Sequence, residues 1–213
     1  MSLVTQLHWN GESVRMYSRS GDDVEPKYPD LVTRIGRLLH ESKVGPCVLD
    51  GEIVPFDPIS GDILPFSVLQ KIPRQLGMPD IENSTATKIF VFDCLVKDGQ
   101  DMTDKSLEIR KSALDTIFES IYSLDFSRLL DKMEYVSVSM NEASLMDTLT
   151  DLLKTAKREG FEGIMVKPTG PKSVYAPRSR SQWIKIKANA EEGDSALDTL
   201  DLVVMAAYKG SVN

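Results

Sequence analysis

The chain has 213 residues, 41% hydrophobic and 27% charged, with a formal net charge of −7 at pH 7. That length holds one large domain or one and a half typical ones, and the composition is that of an ordinary globular protein. The acidic balance excludes a protein that holds nucleic acid over its whole surface, and the sequence shows neither an apolar run of membrane-spanning length nor a charged-then-apolar leader.

In chain order, Gln6-Leu7-His8-Trp9, then Asn10-Gly11, then residues 13–19 read as a β-hairpin, with Asn-Gly supplying the two positive-φ positions of a type I′ turn. Arg15, Tyr17 and Arg19 share one face of its second strand. Tyr28-Pro29 leads into a helix capped by Asp30, whose Leu31, Ile35, Leu38 and Leu39 recur at helical spacing until Gly45-Pro46 stops it. Residues 47–54 form a strand interrupted by Asp50-Gly51-Glu52. Glycine inside a strand marks a close approach by backbone or ligand, and Glu52 beside it is either a site carboxylate or the charged edge of a bulge.

A short helix is expected at 66–70, a loop at 74–87, and the most apolar strand at 88–96, turned by Asp98-Gly99. Phe92 within that strand is either plain core or a ring that stacks on a base. Cys47 and Cys94 lie in apolar strands, which predicts buried thiols and a reducing compartment. Ser106 caps a helix whose stripe is Leu107, Leu114, Ile117, Phe118 and Ile121. Residues 135–138 read as a short strand, and a second helix carrying Leu145, Leu149, Leu152, Leu153 and Ala156 ends at Gly160.

The most informative stretch follows. Glu162-Gly163-Ile164-Met165-Val166-Lys167 reads as a buried strand with a charge at each end. Trp183-Ile184-Lys185-Ile186-Lys187 alternates strictly, which puts Trp183, Lys185 and Lys187 on one face and the isoleucines toward a core. Two ammonium groups ~7 Å apart beside an indole suit phosphates next to a flat base, and equally a solvated lysine face. Residues 151–187 hold nine Lys or Arg against three acids, a basic stretch on an acidic body suited to local phosphate contact. A polar, acidic linker at 189–195 marks a domain boundary, and 200–208 reads as a new strand. With no Walker or Rossmann glycine loop, any nucleotide is held by other means, and with His8 and His40 the only histidines a Ser-His-Asp triad is poorly supported.

Six segments resemble, in order, the signature motifs of the covalent nucleotidyltransferases, in the form found in ATP-dependent DNA ligases of the eukaryotic and archaeal replicative type. They are Tyr17-Ser18-Arg19 with Lys27-Tyr28-Pro29-Asp30, Asp50-Gly51-Glu52, Val91-Phe92-Asp93, Glu162 to Lys167, Trp183 to Lys187, and Asp198-Thr199-Leu200-Asp201-Leu202-Val203-Val204. Together they span nearly the whole chain.

The resemblance implies an α/β (α+β) nucleotidyltransferase, ATP-grasp-like fold, with antiparallel sheets flanked by helices around a nucleotide cleft. An adenylation domain would occupy 1–190, and 191–213 would be a linker and the first strand of an OB-fold domain. It further implies sealing of nicks in double-stranded DNA, in replication, repair and recombination, through enzyme-adenylate and DNA-adenylate intermediates. ATP (bound as AMP) and Mg2+ are the implied cofactors, nicked DNA the partner, with no membrane and with a sliding clamp met through regions outside this chain. Lys185 and Lys187 would neutralise the α-phosphate. Arg19, Glu52, Phe92, Lys167 and Trp183 would bind the nucleotide, and Glu52 and Glu162 the metal. Residence would be intracellular, and nuclear in a eukaryote. The nucleophile of this family lies in a Lys-x-Asp-Gly motif that these 213 residues lack, and Lys97-Asp98-Gly99 is one residue short. The chain alone is therefore expected to be inactive. Two other readings share parts of the pattern: an RNA ligase or messenger-RNA capping guanylyltransferase, and a non-catalytic module that recognises nucleotide or nicked DNA.

Overall fold

The computed structural model describes residues 3–71, 86–122, 129–138, 145–159, 161–177, 179 and 182–188. Of the loop expected at 74–87, residues 74–85 lie outside the described residues, while Ala86 and Thr87 belong to a strand. Gly160, Arg178 and Arg180 of the basic stretch, the linker at 189–195 and the strand at 200–208 also lie outside.

Strands β1 (Leu3–Trp9), β2 (Val14–Ser18), β3 (Cys47–Phe56), β4 (Ala86–Lys97) and β5 (Gln100–Asp101) form an antiparallel sheet in the order β2-β1-β3-β4-β5. A short β6 (Leu130–Lys132) pairs parallel to β4. Helices α1 (Pro29–Glu41) and α3 (Leu107–Tyr122) pack on this sheet, and a single apolar cluster joins them to it through Leu7, Met16, Ile35, Leu49, Leu114 and Phe118. The short α2 (Phe66–Lys71) packs against β3. Helix α4 (Leu145–Arg158) adjoins β7 (Gly163–Val166), which pairs antiparallel with β8 (Ile184–Lys187) in a separate two-stranded sheet. Among the described residues, no helix is long and apolar enough to cross a membrane. The mixed α/β class with antiparallel sheets matches the sequence reading.

Local chemistry explains where the elements depart from that reading. The hairpin turn at Asn10-Gly11 is not type I′: only Gly11 has positive φ, and Asn10 Oδ1 instead accepts the N–H groups of Glu12 and Ser13 at 2.8 and 2.7 Å. The two positive-φ positions occur at Asp98 and Gly99, between paired Lys97 and Gln100. Asp30 does not cap α1. Pro29 takes the first helical position, where its missing N–H costs nothing, and Asp30 pairs with Arg34 one turn on. The helix ends before Gly45-Pro46, because Lys43 turns left-handed and Val44 N–H bonds back to the Leu39 carbonyl.

Helix α3 is capped from a distance: the Leu107 N–H donates to Ser173 Oγ at 2.9 Å, while Ser106 contributes its carbonyl to Arg110 N–H. Residues 135–138 are not a strand. Tyr135 and Val136 are exposed, and the edge of β4 is taken by Leu130–Lys132. Strand β7 is half-buried rather than buried, with Met165 exposed, and of the two isoleucines of β8 only Ile186 is buried. In α4 only Ala156 is buried, its leucines being half-covered. Both cysteines are free and buried, as expected.

Candidate functional site

Strand register sets out the first wall. Across β2, β1 and β3, Tyr17 pairs with Gln6 and Gln6 with Asp50, while Val4 pairs with Glu52. Alternation therefore puts Tyr17, Asp50 and Glu52 on the sheet face opposite Leu7, Met16, Leu49 and Ile53 of the core. Arg19 follows β2 in an exposed turn, beyond the last paired residue Ser18. Gly51 allows this packing. A Cβ there would stand 2.8 Å from both the Ile89 side chain and the Phe90 carbonyl, so the close approach is by backbone of β4.

The β3–β4 ladder then skips a residue. Asp50 pairs with Asp93 and Gly51 with Val91, leaving Phe92 as a bulge. The bulge turns consecutive side chains toward one group, the Lys167 ammonium, which lies 3.5 Å from Asp93 Oδ2 and 5.0 Å from the Phe92 ring centroid. The same ammonium stands 3.6 Å from the centroid of Trp183, whose ring meets Phe92 edge-on at 6.2 Å. Tyr175 closes the group, edge-on to Trp183 at 5.7 Å and donating its hydroxyl to Asp50 Oδ2 at 2.6 Å.

Asp93, wholly buried, also accepts two bonds from Arg110, at 2.7 Å to Oδ1 and 3.2 Å to Oδ2. Burial, with the neighbouring Asp93 charge, pushes the Asp50 carboxyl up to about 6 against the Tyr175 hydrogen bond. Burial also lowers the Lys167 ammonium, with Asp93 pulling it back up. Arg110, Lys167, Ser173, Gln182 and Trp183 line a tight crevice beside the cluster, with no room for a water molecule. Among the described residues, the buried Gln182 Oε1 has no hydrogen-bond partner.

The β7–β8 pair carries the remaining groups. Lys185 Nζ meets Glu162 Oε2 at 2.8 Å, and that hydrogen bond holds the Glu162 carboxyl below its ordinary range. Gly163 admits no side chain: a Cβ would collide with the Ile186 carbonyl oxygen and stand 2.9 Å from Lys187 Cα. Lys187, paired with Gly163, shares the exposed face of Lys185, as strict alternation requires.

Of the residues singled out in the sequence, the structure brings Phe92, Lys167 and Trp183 into one cluster and Glu162 and Lys185 into one ion pair. Glu52 lies on the β2-β1-β3 face with Tyr17 and Asp50, Arg19 lies in the exposed turn after β2, and Lys187 lies one alternation beyond Lys185. Asp50, Asp93, Arg110 and Tyr175 were not given roles from sequence. Asp50 and Asp93 stood inside quoted motifs. Arg110 carried a signal of its own, since it lies three residues after Leu107 and four before Leu114, on the buried stripe of α3.

The sequence profile of the ATP dependent DNA ligase domain matches residues 5–187. The DNA ligase of Sulfophobococcus zilligii is 31% identical over 205 residues, covering 96% of this chain and 31% of that protein. The DNA ligase of Sulfolobus acidocaldarius is 31% identical over 206 residues, covering 96% and 32%. The chain thus spans about a third of the length of these relatives. Among solved structures, the ligase domain of M. tuberculosis LigD aligns with a TM-score of 0.63 and 26% identity, over 88% of this chain and 52% of that one. A mycobacterial DNA ligase D complexed with ATP and MES gives 0.62 and 26%, over 87% and 51%.

Proposed function

Because the chain belongs to the family of ATP-dependent DNA ligase domains, we propose that it is the adenylate-binding part of an enzyme that uses ATP to seal nicks in double-stranded DNA. The observation that carries this reading is the convergence of Phe92, Lys167 and Trp183, from three separate segments, on one another. Phe92 offers an aromatic face for a flat base with Trp183 standing nearly perpendicular as a side wall, and the unpaired Gln182 oxygen beside it suits the exocyclic amine of a purine.

In this reading adenine stacks on Phe92 against Trp183, and Lys167 shifts from between the rings toward Asp93 or a phosphate. Glu52 accepts a ribose hydroxyl, and Arg19 in the exposed turn after β2 contacts the nucleotide. Lys185 and Lys187 project together from β8 and neutralise the α-phosphate as charge passes through it, the main demand of phosphoryl transfer.

Mg2+ fits this donor set. Among the described residues no three His, Cys, Asp or Glu side chains gather, and magnesium is commonly held by one or two carboxylates completed by phosphate oxygens and water. Glu162, which would exchange its Lys185 contact for the ion, and Glu52 would hold it, and the ion would add charge neutralisation at the phosphates.

The 213 residues hold no Lys-x-Asp-Gly, so on this reading they bind ATP without forming a covalent adduct. Calorimetric titration of ATP with Mg2+ into the chain tests it. Saturable binding is expected, weakened about tenfold or more when Lys185→Ala and Lys187→Ala are combined, with no label retained after denaturation. Absence of saturable ATP binding would overturn the reading.

A further inference from the structure

Arg110 lies on the stripe of α3 that faces the core, and it is 1% exposed. Four of its hydrogen bonds leave the helix. Nε and Nη2 clamp the two oxygens of Asp93, and Nη1 donates to the carbonyls of Lys105 at 2.6 Å and Ser173 at 3.0 Å. The fork fixes the plane of the carboxylate. Asp93 Oδ1 is further held by the Cys94 N–H at 3.0 Å, which leaves Oδ2 aimed at Lys167. The Ser173 bond acts on the opposite wall, because Tyr175 two residues on carries the hydroxyl that meets Asp50.

We propose that Arg110 is a positioning residue of the nucleotide site, setting where the Lys167 ammonium stands against Phe92 and Trp183 by fixing the carboxylate of Asp93. Its link to nucleotide rests on the function proposed above, while its mechanism rests on the hydrogen bonds alone. A guanidinium is required, because a lysine has a single nitrogen and cannot hold both carboxylate oxygens and two carbonyls from one position. The charged groups acting on Lys167 are Asp93 of β4, Asp50 of β3, and Arg110 and Lys111 of α3.

The test follows the Lys167 side chain by NMR against pH in the full 213-residue chain, its signal assigned by loss in Lys167→Arg. Asp93→Asn removes the attraction, so the Lys167 midpoint falls. Arg110→Gln removes the competing cation and leaves Asp93 to Lys167 alone, so the midpoint rises. Each shift is expected to be about half a unit or more. A loosened core would raise both, because exposing Lys167 relieves its burial. Opposite shifts support the proposal, and shifts in the same direction or none overturn it.

ATP affinity supplies the second arm. Arg110→Gln weakens binding about tenfold in the parent but less than about threefold in a Lys167→Met background, and equal losses in both overturn the proposal. If Arg110→Gln does not fold, Arg110→Lys, which keeps the charge but cannot hold both carboxylate oxygens, takes its place in this arm. A loss that shrinks in the Lys167→Met background then supports the proposal, and an equal loss or none overturns it. A parent chain that binds no ATP would sink the nucleotide reading, while the titration would still decide the link from Arg110 to Lys167.

Discussion

The Lys167 ammonium stands closer to the centroid of Trp183, at 3.6 Å, than the rings of Trp183 and Phe92 stand to each other, at 6.2 Å. The cation sits over the Trp183 ring and beside Phe92. Such a contact contributes about 0.5–2 kcal/mol. Lys167→Met keeps the bulk and removes the charge, leaving Asp93 still held by Arg110. We expect a stability loss on the order of 1 kcal/mol by urea denaturation, with a change in Trp183 emission and ATP affinity reduced about tenfold. Unchanged affinity would remove Lys167 from the site.

Glu162 and Lys185 make a half-exposed ion pair, so its net contribution to stability is small, about 0–1 kcal/mol. Glu162→Gln should leave the melting temperature within a few degrees of the parent. If Glu162 is a magnesium ligand, the gain in ATP affinity on adding Mg2+ should shrink about tenfold in the variant, measured calorimetrically with and without the metal. An undiminished magnesium effect would assign Glu162 to positioning Lys185 alone.

Lys111 gives a pH dependence of defined sign. Burial, reinforced by the Lys167 charge, pushes its ammonium down to about 8 from an ordinary 10.5. Between those values the unfolded chain binds more protons than the folded one, so the contribution of Lys111 to stability rises with pH across that window. Lys111→Met should abolish this rise and stabilise the fold at pH 7 by on the order of 1 kcal/mol. Urea unfolding of parent and variant at pH 7, 8, 9 and 10 checks it, and parallel curves would refute it.

Gly163→Ala is expected to part β7 from β8, because the new methyl would occupy the space of the Ile186 carbonyl. The cost is about 1–3 kcal/mol or more, but confined to the small sheet, since the main core lies on β1, β3 and β4. Hydrogen exchange should show faster exchange at Ile164, Val166 and Ile186 with the amides of Leu7 and Leu49 unchanged. Uniform acceleration would mean the two sheets unfold as one unit.

Much of this architecture was legible because it follows from short-range rules. The stripe of α1 at Leu31, Ile35, Leu38 and Leu39, the apolar run of β4 and the alternation of Lys185, Ile186 and Lys187 each obey a period that sequence displays. What escaped depends on a distant partner. The bulge at Phe92 exists only against β3, and β6 forms at Leu130–Lys132 because that segment reaches the free side of β4, although residues 135–138 have the better strand composition. The α3 cap comes from Ser173, 66 residues away, so no local rule could find it. The site was half visible for the same reason. Motif residues marked its positions, whereas Arg110 and Tyr175 take their roles from long-range bonds to Asp93 and Asp50.

The unpaired position in β4 has an evolutionary consequence. With Phe92 excised, the ladder would close between Gly51 and Asp50, and the second shift, between Val48 and Leu49, would remain. It would also remove the ring that meets Trp183 and Lys167, while Asp93 would keep its place opposite Asp50. Any descendant of this sequence that loses the residue between Val91 and Asp93 therefore keeps its strand pairing but gives up the aromatic contact with Lys167.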